Sequence, residues 1–120
     1  MNTLRILIVE DDVMIGMLLA MMLEEMGHTV CANVQTEADA VTAAARSGPD
    51  LMIVDAWLRD GNGISAVEKI CCAKFVPHFF VSGDIAGVRA LRPDAVLVQK
   101  PFREAELEQG IKNALNAAAR

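Results

Sequence analysis

The sequence predicts an α/β domain built on a doubly wound, five-stranded parallel sheet, with helices on both faces and a short fourth helix. Three observations carry that expectation. Short β-branched apolar runs alternate five times with longer runs of helix formers. Capping and turn residues fall between them. At 120 residues and 53% hydrophobic, residues 1–120 suffice for one domain around one core.

Residues 4–9 form a short, continuous apolar run, as expected of a strand covered on both faces, and the acids Glu10, Asp11 and Asp12 end it. Residues 13–26 are strong helix formers, with Asp12 placed to cap the start and Gly27 the end. A strand over 29–34 and a helix over 36–46, capped by Thr36 and stopped at Gly48-Pro49, repeat the unit. A strand follows at 51–54, then a turn at Asp60-Gly61-Asn62-Gly63 and a helix over 64–74. The last two units are a strand at 78–81 with a helix over 85–91, and a strand at 95–99 with a helix over 104–118.

Strict alternation predicts parallel strands, because right-handed crossovers place a helix over the sheet each time. Such sheets bind their ligands beyond the carboxyl ends of the strands. Composition narrows the ligand. A net charge of −5 with scattered Lys and Arg disfavours a general grip on nucleic acid or anionic membrane. The start lacks the pattern of a signal peptide, and the apolar run 13–23 is too short to span a bilayer. Three cysteines, Cys31, Cys71 and Cys72, are odd in number and two are adjacent, which favours a reduced, cytoplasmic setting.

The strand ends gather one polar group after another: Glu10 and Asp11 after the first, Asp55 after the third, Ser82 after the fourth and Lys100 after the fifth. Carboxylates brought together repel unless a cation joins them, and an all-oxygen donor set suits Mg²⁺. Mg²⁺ keeps waters and takes phosphate oxygens, so the adjoining lysine and hydroxyl point to phosphoryl transfer. Asp55 is then the nucleophile, Glu10 and Asp11 position the metal with it, and Lys100 and Ser82 receive the remaining phosphoryl oxygens.

The order of these motifs resembles one family, the receiver domains of two-component response regulators, over essentially the whole chain. Ile6-Leu7-Ile8-Val9-Glu10-Asp11-Asp12 resembles the family's first strand and acidic pair, and Leu51-Met52-Ile53-Val54-Asp55 its phosphoacceptor strand. Ser82-Gly83 sits at its switch hydroxyl and Lys100-Pro101-Phe102 resembles its signature ending. Each match is weak alone, but four in order on the expected strands are specific. The resemblance implies a flavodoxin-like fold of receiver type and a backbone carbonyl of Trp57 as a further metal ligand. It also implies a Lys100-Pro101 peptide that is usually cis, and a histidine kinase or histidine phosphotransfer protein as donor.

Other polar residues have simpler readings. Asp12, Asp60 and Asp84 suit caps and turns; His28 and His78 lack partners at metal or triad spacing and are expected to be structural. On the first helix, Ile15, Leu18, Leu19, Met22 and Met26 supply an inward stripe at helical spacing. Met14, Met17 and Met21 fall opposite, and flexible apolar side chains there suit protein contact or self-association.

Three departures from the family pattern stand out. Leu97 occupies a place where many receivers have a Tyr or Phe that toggles with the switch hydroxyl. The segment 83–94 is short, with Gly87 and Pro93 limiting its helix. Trp57, two residues past Asp55, stands at a position that in the family borders the path of hydrolytic water, and the resemblance implies that its indole could shield an acyl phosphate. The leading expectation is a stand-alone signalling switch or phosphorelay intermediate rather than an enzyme. A phosphorylation-independent interaction module is the alternative raised by Leu97 and the short helix. An aspartate-nucleophile phosphatase is poorer, since such enzymes usually need a second Asp where Trp57 stands. A nucleotide site is disfavoured by acids where a Gly-rich loop would follow the first strand.

Overall fold

The computed structural model describes residues 3–119. Five strands, β1 (Arg5–Val9), β2 (Thr29–Val34), β3 (Leu51–Asp55), β4 (His78–Ser82) and β5 (Leu97–Gln99), form one sheet in the order β2-β1-β3-β4-β5. Every pairing is parallel. Five helices connect or follow them: α1 (Val13–Glu25), α2 (Glu37–Ser47), α3 (Gly63–Ala73), α4 (Ile85–Leu91) and α5 (Glu104–Ala118).

Alternation along each buried strand decides which helix covers which face. Leu7, Val9, Met52, Val54 and Phe80 point to one side and pack with Ala40 of α2, Ile64, Val67 and Ile70 of α3 and Val88 of α4. Ile6, Ile8, Leu51, Ile53, Phe79 and Val81 point to the other and pack with Leu19 and Leu23 of α1 and Leu107, Ile111 and Ala114 of α5. The central strands β1, β3 and β4 are therefore apolar on both faces, which explains why they read as continuous runs rather than as alternating ones. Each fully buried Leu or Ile here contributes roughly 1.5–3 kcal/mol from apolar burial.

The helix starts follow the predicted capping chemistry. Asp12 Oδ1 accepts from the N–H groups of Met14 and Ile15 at 3.0 and 3.2 Å. Thr36 Oγ1 accepts from Asp39 N at 3.1 Å, and Asp84 Oδ1 from Gly87 N at 3.0 Å. Asn62 caps α3 through Ile64 N and Ser65 N, so that helix begins at Gly63, one residue before the predicted start. At α1 the C-cap is Met26, and Gly27 follows it with φ +93°, the left-handed geometry that glycine adopts without a Cβ penalty.

Three differences from the sequence expectation concern the site. Asp55 and Ser82 are themselves the last residues of β3 and β4, because the ladder between the strands runs on to Asp55↔Val81. The fifth strand is shorter than 95–99: Ala95 N bonds back to Arg92 O at 3.2 Å and closes a turn, so pairing with β4 begins at Phe80↔Leu97. The inward stripe of α1 is rotated. Leu18 is half exposed, while Gly16, Leu19 and Leu23 are buried. Leu19 and Leu23 sit at the centre of the contact with the sheet, and a residue one position from Leu19 is turned by about a quarter of a circle from it. The exposed apolar face of α1 therefore comprises Val13, Met14, Met17, Leu18 and Met21.

The short fourth helix is observed as seven residues. A Cβ at Gly87 would collide with the Asp84 carboxylate that caps the helix, and Arg92 just past its end pairs with Glu68 on α3. Both histidines have structural partners: His28 Nδ1 accepts from Leu4 N at 3.1 Å, and His78 Nδ1 lies 2.8 Å from the Val76 carbonyl oxygen. Cys31, Cys71 and Cys72 are free. No described helix is long and apolar enough to cross a membrane.

Candidate functional site

The chain leaves β1 toward β2 on one side and later returns to place β3 on the other, so a crevice opens at the carboxyl ends of β1 and β3. Glu10 and Asp11 follow β1 there, and Asp55 ends β3. Each of the three offers a carboxylate oxygen within 4.8 Å of the others. Lys100, just past β5, reaches in from the far side: Nζ lies 2.7 Å from Glu10 Oε1 and 3.2 Å from Asp55 Oδ2. The Lys100–Pro101 peptide is cis, as the resemblance implied. Its backbone is joined to β4 by Lys100 N donating to Ser82 O at 2.9 Å.

Glu10 is 1% exposed and Asp55 6%. Burial drives the Glu10 carboxyl up to about 7, opposed by the Lys100 ammonium and the Asp12 N–H, and reinforced by the nearby Asp55 charge. Burial pulls Lys100 down, but the Glu10 and Asp55 carboxylates outweigh it, and its pKa stands above the ordinary lysine value. Glu10 Oε2 accepts from Asp12 N at 3.0 Å, whereas the buried Oε1 has no directed hydrogen bond and meets Lys100 only as an ion pair. A buried carboxylate oxygen satisfied only by an ion-paired ammonium, beside two further carboxylates, is a donor set that fits a hard divalent cation.

The remaining expected residues are placed as follows. Ser82 is 2% exposed, and its Oγ accepts from Asp84 N at 2.9 Å, which leaves its own O–H free to donate. Trp57 N donates to Asp55 Oδ1 at 3.2 Å, and its side chain is 38% exposed at the rim. Asp12 caps α1, as expected. Leu97 pairs with Phe80 and packs on the α2–α3–α4 side of the sheet.

Three residues of the site's surroundings were not singled out in the sequence. Arg59 N donates to Asp11 Oδ2 at 2.8 Å, and its guanidinium Nε stands 3.6 Å from the same oxygen. Gly63 is held so close that a Cβ there would overlap the Asp55 carbonyl oxygen. Glu37, at the start of α2, receives the Asn62 N–H, the Ser65 hydroxyl and the Lys69 ammonium at 2.8, 2.7 and 2.6 Å. In one dimension Glu37 is only an acid in the first turn of a helix, where the dipole already accounts for it.

Residues 6–112 match the response regulator receiver domain family. The chain belongs to the response regulator receiver family. Among solved structures, the solution structure of the Erythrobacter litoralis PhyR receiver domain superposes with a TM-score of 0.86 at 32% identity, covering 95% of this chain and 91% of that one. The PhyR response regulator of Brucella abortus gives 0.85 at 28% identity, covering 98% of this chain and 50% of that one. The transcriptional regulatory protein PdtaR of Mycobacterium tuberculosis is 36% identical over 73 residues, which is 61% of this chain and 36% of PdtaR. The swarming motility regulation protein RssB of Serratia marcescens is 41% identical over 61 residues, 51% of this chain and 27% of RssB. The chain thus spans about a third or less of the curated relatives it matches. Receivers of this family are signalling domains of two-component systems rather than classical enzymes, and the fold of this receiver is flavodoxin-like.

The ligands of Glu37 hold its carboxyl at about 2, the Lys69 hydrogen bond first, then Ser65 and Asn62. Its folded value lies below its ordinary 4.5, so the ionised form is the stabilising one. That contribution is complete above pH 4.5 and is lost as pH falls toward 2. Glu37→Gln is therefore expected to lower unfolding stability by about 2 kcal/mol at neutral pH. Denaturation at several pH values should show the difference from wild type shrinking steadily below pH 4.5.

Proposed function

We propose that this receiver accepts a phosphoryl group on Asp55 from a phosphohistidine donor, with Mg²⁺ held by Glu10, Asp11, Asp55 and the backbone carbonyl of Trp57. The donor is a histidine kinase or a histidine phosphotransfer protein. The observation that supports this most directly is the Lys100 ammonium set between Glu10 Oε1 and Asp55 Oδ2 beside Asp11. A lysine poised over converging carboxylates is the arrangement that receives a phosphoryl group and its charge.

Asp55 Oδ1 is steadied by the Trp57 N–H and Oδ2 by Lys100, which orients the carboxylate for in-line attack on phosphorus. The new bond is Asp55 O–P, and the bond that breaks is P–N of the phosphohistidine. Lys100 and the Ser82 hydroxyl then take phosphoryl oxygens by charge-assisted hydrogen bonds. The cation, when bound, neutralises charge that develops on the transferring group. The recess of Asp55 keeps bulk water off the acyl phosphate, and Trp57 at the rim adds to that shield, so release of phosphate is slow.

We read residues 1–120 as one receiver module in a cytoplasmic setting, acting as a switch or phosphorelay intermediate through protein contacts; the three free cysteines and the acidic charge support that setting. The methionines Met14, Met17 and Met21, 80, 59 and 58% exposed, form the contact surface, for a partner or for a second copy. A phosphorylation-independent module remains the alternative that Leu97 and the seven-residue α4 favour.

Incubation with acetyl phosphate and Mg²⁺ should add one phosphoryl mass to the wild type and none to Asp55→Asn; an unchanged wild-type mass would favour the alternative module. Decay of that adduct should be several-fold faster in Trp57→Asn, and equal rates would remove the shielding role of the indole. Replacing Met14, Met17 and Met21 together by Glu should leave folding intact and abolish self-association or binding to the phosphodonor. A variant that associates like wild type would show this face to be inert.

A further inference from the structure

The loop from Ala56 to Asn62 carries Trp57 and joins the end of β3 to the start of α3. Its base is closed by Gly63 N donating to Ala56 O at 3.0 Å. Its middle is tied to the acidic cluster, where Asp11 Oδ2 accepts from Arg59 N. Its far end is tied to α2. Glu37 N donates to Asp60 O at 3.2 Å, Glu37 Oε1 accepts from Asn62 N at 2.8 Å, and Gly61 packs so tightly on the Glu37 side chain that a Cβ there would overlap it. Gly61 has φ +90°, a conformation that glycine takes without strain.

The two anchors differ in one respect. Asp11 belongs to the carboxylate cluster, so any cation bound there shares the carboxylate that holds Arg59. Glu37 lies outside the cluster, and its three ligands come from the loop and from α3. With its side chain only 14% exposed, it is the attachment that stays whole when Asp11 turns to other work. Groups that hold ligand-bearing segments in this way alter metal affinity without touching the metal.

We propose that Glu37 is a positioning residue for the Asp55 site: it pins the loop 56–62 to α2 through the Asn62 N–H and so fixes the Trp57 carbonyl that the site presents to a divalent cation. The pinning is a statement about the loop itself; its consequence for the cation rests on the reading of the site given above. Ser65 and Lys69 hold the Glu37 carboxylate in register and have no direct part in the loop.

The chain's single tryptophan, Trp57, reports on the site by fluorescence, and backbone amide exchange reports on the loop in the absence of any metal. In Glu37→Ala, exchange at Arg59 to Asn62 should rise at least about tenfold while the amides of β1 and β3 keep wild-type protection. The apparent Kd for Mg²⁺, read from Trp57 emission, should rise about tenfold. Glu37→Gln keeps an oxygen for Asn62 N, and Lys69→Ala breaks only the ion pair, so both should stay close to wild type in loop exchange and Mg²⁺ response even where their global stability drops. Wild-type loop exchange in Glu37→Ala overturns the proposal, as does equal weakening of Mg²⁺ binding in the Ala and Gln variants, which would show that only the charge matters. A wild type whose tryptophan does not respond to Mg²⁺ would sink the metal reading, and the clamp would be decided by the exchange data alone.

Discussion

Three carboxylates with oxygens inside 4.8 Å of one another are held at the mouth of an apolar sheet, and much of the structure around them exists to make that tolerable. At an effective dielectric of about 20, each such pair repels by roughly 3 kcal/mol. Lys100 offsets part of this from the opposite side, and the Asp12 N–H supports Glu10. Burial above all, with the Asp55 charge as a smaller contribution, still leaves the Glu10 carboxyl raised to about 7. A site left short of positive charge in this way is one that gains from a cation.

The placement of those groups depends on backbone more than on side chains. Asp55 is the last residue of a strand buried along its whole length, and α3 comes in so close that only glycine fits at position 63 against the Asp55 carbonyl. Lys100 N is held by Ser82 O, so the lysine and the hydroxyl are joined through β4 before either meets a ligand. The loop between β3 and α3 is held at Asp11 on one side and Glu37 on the other. These attachments use the rigid parts of the fold to keep a short, irregular segment in one conformation.

The opposite surfaces are less constrained. α1 turns Val13, Met14, Met17, Leu18 and Met21 outward, and Leu18, with the partly buried Ile15 beside it, meets Lys100, Pro101 and Phe102 around an open apolar recess of about 360 Å³. This apolar surface ends at Lys100, whose ammonium lies 3.2 Å from Asp55 Oδ2. On the other side of the sheet, Leu97 packs with the core around Phe80 and Val88, and α4 is seven residues long with Arg92 just past its end paired to Glu68 on α3.

How much of this was written in the sequence follows from the range of each interaction. Strand and helix order, the caps at Asp12, Thr36 and Asp84, and the acids, hydroxyl and lysine after successive strands were legible, because periodicity, capping and strand-end placement are local or set by topology. The rotation of α1 that exposes Leu18 was not, because a helix with apolar residues on nearly every side takes its facing from the sheet it packs against. The anchors at Arg59 and Glu37 were not either. Asp11 and Arg59 are 48 residues apart, and Glu37 and Asn62 are 25 apart; their bonds use backbone N–H groups, which every residue carries and no side-chain pattern marks. The sequence by itself therefore determined which groups this protein brings to its site, and only the tertiary structure decided what holds them there, because the holding is done by close backbone contacts between distant segments.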